Sequence, residues 1–229
     1  MNTGAKFCAV VPFKGTAQGK QRLAPVLAPA QRQELALAML DDVLQSLSAV
    51  RELAAVLVVT VDPAAAALAA QFGARVSSDH ACGGHTAAVT GATHRLAAQG
   101  LGLLTVPGDI PLVEPDDLRA LLAAHDTARS FTIVPARDDM GSNAILCSPA
   151  NAVPLRFGDN SFFPHLAAAR AHGLEPRIVH LPRMALDIDT PEDLALFLAT
   201  PSRTRARALL DRWGIRADAA VISPERAAI

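Results

Sequence analysis

Short β-branched runs alternate with longer Ala- and Leu-rich stretches along most of this 229-residue chain. Such alternation is typical of β-α-β units, in which helices cover both faces of a parallel sheet. The run 55–61 is apolar almost throughout, as expected of a central strand buried on both faces. We therefore predict a three-layer α/β/α fold with a Rossmann-like, mostly parallel sheet of about seven strands. The predicted strands are 7–11, 55–61, 74–76, 103–106, 131–134, 144–147 and 177–180.

Helix signals lie between these runs. An apolar stripe with helical spacing predicts a long helix that begins near Pro29 or Ala30. Asp62, Glu114 and Thr190 each precede a proline, an order that favours a helix start. A further helix is predicted to begin at Leu166.

The length fits one domain, 1–229, with a core of about 7–199 and an Arg-rich helix and tail at 200–229. Leu209, Leu210 and Trp213 predict that the tail forms an amphipathic helix packed on the core. A subunit contact in a homodimer is the alternative role for this helix.

The charge balance excludes several classes of partner. Lys and Arg number 21 against 22 Asp and Glu, so no basic field exists to hold a nucleic acid. Aromatic residues make up only 4%, which argues against stacking platforms for single strands. Three cysteines without zinc-site spacing, no secretion signal and no membrane-length apolar run predict a cytoplasmic protein without a membrane partner. Small phosphorylated molecules are the class of ligand that these observations leave open.

The residues directly after each strand have the most bearing on function, because open parallel sheets bind ligands beyond the carboxyl ends of their strands. The segment 12–23 comes after the first strand and carries Gly15 and Gly19 beside Lys14, Lys20 and Arg22. Glycines allow a backbone to approach a phosphate and cations neutralise it, so this segment is a candidate phosphate loop. It is not a Walker A loop, since glutamine comes after the second lysine. A solvated surface loop is the alternative.

Carboxylates lie beyond two later strands. Asp109 lies between two prolines directly after the fourth strand, and Asp187 and Asp189 occupy alternate positions near the end of the chain. Like charges on one face of an extended segment repel unless a cation joins them, and carboxylate oxygens suit Mg²⁺. A Mg²⁺ site is therefore predicted, with turn or helix capping as the alternative.

Two other segments are ambiguous. Residues 137–144 could be an ordinary connection between strands. In 156–165, Asn160 or Ser161 could cap a helix, or the same helix start could bind an anion. No serine or cysteine nucleophile motif is present. A phosphate that attacks a nucleoside triphosphate needs none, because its oxygen is already ionised and requires only cations and positioning.

Taken in order, these segments resemble one family. The order of five motifs is similar to that in the guanylyltransferases of coenzyme F420 biosynthesis. The motifs are Pro-Phe-Lys with Lys-Gln-Arg-Leu, Pro-Gly-Asp-Ile-Pro-Leu, Gly-Ser-Asn-Ala, Phe-Gly with Ser-Phe and His, and Leu-Asp-Ile-Asp-Thr-Pro. The resemblance covers about 7–199. It implies the nucleotide-diphospho-sugar transferase type of fold, and transfer of GMP from GTP to 2-phospho-L-lactate, phosphoenolpyruvate or 3-phosphoglycerate with release of pyrophosphate.

The resemblance also implies site residues. Lys14, Lys20, Arg22 and Asp109 would be catalytic, and one or two Mg²⁺ ions would be held by Asp109, Asp187 and Asp189. GTP would be bound by Pro12, Lys14, Gly15, Lys20, Gly83, His85, Pro107 and Gly108. The acceptor would be bound by Ser142, Asn143, Gly158 and Ser161.

Two positions depart from the family pattern. His85 occupies a position where the family usually has asparagine, and Met140 precedes Gly141 where another glycine is usual. Base choice and acceptor choice therefore stay open. The alternatives are a nucleotidyltransferase with another acceptor, and a catalytically weak nucleotide- or metabolite-binding protein of the same fold.

Overall fold

A computed structural model describes residues 6–15, 20–126, 128–158 and 160–217. These residues form a sheet of seven strands in the order β3-β2-β1-β4-β6-β5-β7. The strands are β1 Phe7–Pro12, β2 Leu53–Val59, β3 Arg75–Ser77, β4 Gly102–Thr105, β5 Ser130–Pro135, β6 Ser142–Ser148 and β7 Arg177–Ile178. Strand β6 runs antiparallel to both of its neighbours, and the other pairings are parallel. The predicted α/β fold with a mostly parallel sheet is confirmed.

The described residues also form α-helices, most of which cover the two faces of this sheet. They are α1 Pro29–Ser48, α2 Pro63–Gln71, α3 Gly84–Ala98, α4 Pro115–Ala124, α5 Phe162–Ala171, α6 Pro182–Ala185, α7 Pro191–Ala199 and α8 Arg205–Arg212. Along β1, Ala9 and Val11 pack with α1, α2 and α4, whereas Cys8 and Val10 pack with α3 and α5. The alternation of side chains along a strand thus builds two cores from one sheet.

The predicted helix starts can be compared with the structure. Helix α1 begins at Pro29, and the Asp62 side chain accepts hydrogen bonds from two backbone N–H groups of α2. Thr190 and Asp193 form a reciprocal capping box at α7. The start predicted at Leu166 is wrong, because α5 begins at Phe162. Proline is tolerated in a first helical turn, so Pro164 does not delay the helix.

The C-terminal helix α8 packs on a third core with α1 and α7, and Leu210 is fully buried there. Asp42 of α1 accepts hydrogen bonds from the backbone N–H groups of Arg205, at 2.7 Å, and Ala206, at 3.0 Å. The tail helix is therefore fixed at its N-terminus by a side chain of α1, as well as by apolar contacts. Of the described helices, none is long and apolar enough to span a membrane.

Candidate active site

One edge of the sheet carries two neighbouring cavities. The first has a volume of about 250 Å³ and lies where β1 and β4 end. Seven of the eight predicted nucleotide residues line it: Pro12, Lys14, Gly15, Lys20, His85, Pro107 and Gly108. Gly83 does not line it, and Gly19 of the predicted phosphate loop lies outside the described residues. The structure thus assembles most of the predicted nucleotide residues around one space.

The second cavity has a volume of about 480 Å³ and lies where β5 ends and β6 begins. Because β6 is antiparallel, its first residues reach the same edge as the last residues of the parallel strands. The charged residues that line this cavity are Arg22, Arg137, Asp138, Asp187, Asp189 and Asp193. Asn143 and Gly158, which were predicted to bind the acceptor, also line it. Arg22, predicted at the triphosphate, lines this cavity and not the first.

Lys20 joins the two cavities. Its Nζ atom lies 2.5 Å from Asp109 Oδ2 and 2.6 Å from Asp189 Oδ1. Burial alone would lower the pKa of Lys20, but the two carboxylates raise it above its usual value, so the ammonium group stays charged. The lysine predicted to meet phosphates is, in this structure, held by the predicted metal ligands.

Asp187 completes the acidic cluster. The backbone N–H of Ile188 donates to the Asp109 carbonyl at 3.1 Å and so aligns this segment with the residues after β4. Asn143 Nδ2 donates to Asp187 Oδ1 at 3.1 Å and to the Met184 carbonyl at 3.0 Å. Burial, followed by repulsion from Asp109, raises the pKa of Asp187 to about 6. Asn143 therefore positions a carboxylate as well as lining the cavity.

The donors present suit a hard cation. Asp109 Oδ1 is buried and has no hydrogen-bond partner among the described residues, and carboxylate oxygens are preferred Mg²⁺ ligands. In this arrangement the described residues include no set of three or more His, Cys, Asp or Glu side chains placed to hold a metal. The Lys20 ammonium lies between Asp109 and Asp189 instead. Binding of a metal by all three aspartates thus requires Lys20 to move.

The first turn of α3 presents His85 to the first cavity. Its ring stacks on Phe157, with centroids 4.1 Å apart, and its Nε2 atom is buried without a partner among the described residues. Thr86 Oγ1 accepts from the Phe157 N–H at 2.9 Å and donates to its carbonyl at 3.1 Å, which fixes Phe157 against α3. Burial lowers the pKa of His85 to about 4, so the ring is neutral at pH 7.

Ser142 and Ser161, both predicted to bind the acceptor, do not line the second cavity. His165 Nε2 accepts from the Arg156 N–H at 3.0 Å, which leaves the proton of the neutral ring on Nδ1. Nδ1 lies 2.9 Å from Ser142 Oγ and can donate to it, and Ser161 Oγ donates to the same oxygen at 3.2 Å. Ser161 makes no side-chain cap of α5. The two serines and His165 form one part-buried hydrogen-bond network.

The sequence of most of the chain matches one known family. The description "Guanylyl transferase CofC like" matches residues 7–228. The chain belongs to this guanylyltransferase family. Its relatives include a phosphoenolpyruvate guanylyltransferase of Sphaerobacter thermophilus, 38% identical over 81% of this chain and 89% of the relative. A 2-phospho-L-lactate guanylyltransferase of Methanothermobacter thermautotrophicus is 33% identical over 90% of each chain.

The fold of this family member is also found in solved structures. A provisionally named nucleotide-diphospho-sugar transferase from Desulfovibrio desulfuricans aligns with a TM-score of 0.76 at 18% identity. The alignment covers 96% of this guanylyltransferase-family chain and all of the other chain. At this identity the likeness supports the fold alone, and the predicted fold type is confirmed.

Sequence reasoning missed Arg137. It comes after β5 and lines the second cavity, but 137–144 could be read as an ordinary connection. The position of Arg137 directly beyond a strand end was the available signal. The pairing of Lys20 with the carboxylates was also missed, and no local pattern indicates it.

Proposed function

We propose that this chain transfers GMP from GTP to the phosphate of a three-carbon phospho-acid and releases pyrophosphate, as a step of coenzyme F420 biosynthesis. Membership of the guanylyltransferase family supports the reaction class. The acceptors named for its relatives, phosphoenolpyruvate and 2-phospho-L-lactate, support the acceptor class. A third acceptor of the same chemistry is 3-phosphoglycerate.

The observation that carries the proposal is the meeting of two cavities at one charged cluster. The first cavity holds most of the predicted nucleotide residues, and the second is lined by arginines and aspartates. Lys20 and Asp109 line the first, Asp189 lines the second, and the three side chains are in direct contact. A nucleotide in one cavity and a phospho-acid in the other would therefore face each other across this cluster.

The reaction needs only positioning and neutralisation of charge. An oxygen of the acceptor phosphate attacks the α-phosphorus of GTP, the bond from that phosphorus to the β-phosphate oxygen breaks, and pyrophosphate leaves. No proton has to be removed, since the attacking phosphate is ionised near neutral pH. Lys14 and Lys20 would neutralise the triphosphate from the first cavity, and Arg22 would meet phosphate charge from the second.

Asp109, Asp187 and Asp189 would hold Mg²⁺. When bound, Mg²⁺ would neutralise phosphate oxygens and favour departure of pyrophosphate. Asp109 Oδ1 is buried and has no hydrogen-bond partner among the described residues, and Asp109 repels Asp187. Both observations support a cation at this place. The Lys20 ammonium, released from Asp189, would then be available to the triphosphate.

We place the reaction in the cytoplasm. All three cysteines are free, with Cys8 and Cys147 buried and Cys82 exposed, which suits a reducing compartment. A homodimer contact of α8 stays a prediction.

Pyrophosphate release tests the proposal. The protein would be incubated with Mg²⁺, each of GTP, ATP, CTP and UTP, and each of the three phospho-acids. Release with GTP and one phospho-acid is expected, and Asp109→Asn should lower it by roughly a hundredfold or more. Asp211→Asn, on the exposed side of α8, is the matched control and should keep the wild-type rate.

Absence of pyrophosphate release with every pair would refute the proposal. A rise in melting temperature with GTP but no turnover would instead favour a nucleotide-binding protein of the same fold.

A further inference from the structure

Among the described residues, two arginines and four aspartates line the second cavity. Two guanidinium groups, of Arg22 and Arg137, line it. A phospho-acid carries two separate anionic groups, a phosphate and a carboxylate. Only the phosphate takes part in the reaction, so the carboxylate needs a separate binding group.

The two arginines occupy different places along the chain. Arg22 is two positions after Lys20, which contacts Asp189, so under the proposed function we assign Arg22 to the reacting phosphate. Arg137 comes from the end of β5, and its backbone N–H donates to the Ala185 carbonyl at 2.9 Å. Arg137 thus enters the cavity from a different element.

The Arg137 side chain makes one hydrogen bond with the described residues and has further N–H donors. Its Nη2 donates to Asp193 Oδ1 at 3.3 Å, and 54% of the side chain is exposed. A guanidinium has five N–H donors in a planar fork, so one long hydrogen bond leaves most of them available. A planar carboxylate is the natural partner for such a fork.

The anchor of Arg137 is rigid and is connected to the acidic cluster. Asp193 Oδ2 accepts from the Thr190 N–H at 2.9 Å, from Thr190 Oγ1 at 2.7 Å and from the Asp189 N–H at 3.3 Å. One carboxylate therefore orients Arg137 and fixes the backbone that carries Asp189. The guanidinium is thereby linked to the segment that carries Asp189.

We propose that Arg137 determines acceptor specificity by binding the carboxylate of the phospho-acid. The inference rests on the proposed function, since it assumes that the second cavity receives the acceptor. With the phosphate at the acidic cluster, the carboxylate points to Arg137, and phosphate esters without a carboxylate bind more weakly.

If Arg137 had only a structural role, its replacement would not specifically raise the KM of the phospho-acid. Arg137 is 54% exposed, its partner Asp193 is 16% exposed and the contact is long at 3.3 Å, so the pair contributes little to folding. Arg137→Met is therefore expected to fold, which keeps the kinetic test interpretable. Arg170→Met is a matched control, because that arginine is 55% exposed, pairs with Glu175 and lies outside both cavities.

The test compares a phospho-acid acceptor with an inhibitor that lacks the carboxylate, in the wild type and in variants of Arg137. The KM of the preferred phospho-acid should rise roughly ten- to hundredfold in Arg137→Met, whereas the KM of GTP should stay within about twofold. Propyl phosphate has the phosphate and chain length but no carboxylate. Its inhibition constant against the phospho-acid should be the same in the wild type and in Arg137→Met. Arg137→Lys, which keeps the charge but not the fork, should give an intermediate KM.

The outcomes separate this inference from the proposed function. If the wild type releases no pyrophosphate, the proposed function fails. If the wild type is active and Arg137→Met leaves the KM of the phospho-acid within twofold, the inference fails alone. It also fails if propyl phosphate loses as much affinity as the phospho-acid, or if the KM of GTP rises in parallel.

Discussion

Replacing Lys20 with methionine should destabilise the protein, because it removes the cation from a cluster of carboxylates. Methionine is an unbranched apolar side chain one atom shorter than lysine, so it replaces the stem of the lysine without its charge. Asp109 and Asp189 would lose the ammonium that now lies 2.5 and 2.6 Å away, and Asp187 is close enough to Asp109 to be repelled by it.

The size of the effect depends on burial. The Lys20 side chain is 10% exposed, whereas Asp109 is 26% and Asp189 is 42% exposed. An exposed pair contributes about 0–1 kcal/mol, and removing one partner of a fully buried pair costs about 3–5 kcal/mol. The intermediate burial of this cluster places the expected loss at about 2–3 kcal/mol. Lys14→Met, at an exposed position of the same loop, should change stability by less than about 0.5 kcal/mol.

Urea unfolding at low ionic strength and pH 7.5 measures both variants. Mg²⁺ should also stabilise Lys20→Met more than it stabilises the wild type, because the carboxylates no longer have a competing cation. A loss below about 0.5 kcal/mol, equal to that of Lys14→Met, would refute the reasoning. So would an equal response of the two proteins to Mg²⁺.

Three further predictions concern the rest of the molecule. Burial raises the pKa of Asp42 to about 6, above its unfolded value, so its ionisation costs stability as the pH rises from about 4 to 7. As the pH falls across this range, the free energy of unfolding of the wild type, measured in urea, should rise by up to about 3 kcal/mol relative to that of Asp42→Asn. Leu210→Ala should cost about 2–4 kcal/mol in the same assay, because Leu210 is fully buried; a loss below about 1 kcal/mol would contradict the packing of α8. Burial lowers the pKa of His85 to about 4, so His85 should not titrate between about pH 5.5 and 7.5. The pH–rate profile of His85→Gln should therefore keep the wild-type shape in this range. If the variant loses an inflection that the wild type shows, His85 titrates there and the reasoning is wrong.

The strands were largely predictable, because strands buried on both faces leave continuous apolar runs in the sequence. The error at β2 is instructive. The prediction extended to Val61, but the strand ends at Val59 and Val61 is 53% exposed. Thr60 Oγ1 accepts from the Asp62 N–H at 3.0 Å, which starts the turn into α2. A local side-chain hydrogen bond ended a strand that hydrophobicity alone would continue.

Helix α3 and the direction of β6 were not predicted. Glycines and β-branched residues lower the helix propensity of α3, and Gly84 begins it with a positive φ of 83°. Burial of Val89, Ala92 and Leu96 in the core on that face stabilises the helix nevertheless. Strand direction leaves no trace in an apolar run, so the antiparallel pairing of β6 had no sequence signal.

The candidate site was predicted in its parts but not in its contacts. The polar residues placed directly after the strands indicated both the phosphate loop and the carboxylates. Lys20 contacts Asp109, which lies 89 residues away in the sequence, and Asp189, which lies 169 residues away. Such pairings depend on sheet order, which spacing along the chain does not encode. The predicted phosphate-binding lysine and two of the predicted metal ligands form direct ion pairs in this structure.

The antiparallel strand has a consequence for how specificity can change. Strands β5 and β6 form a hairpin, and its six-residue connection, 136–141, overhangs the second cavity. The nucleotide cavity is built by other segments. Under the proposed function, a change in this connection would alter the wall of the second cavity that carries Arg137. The residues around the first cavity come from other segments and would stay as they are.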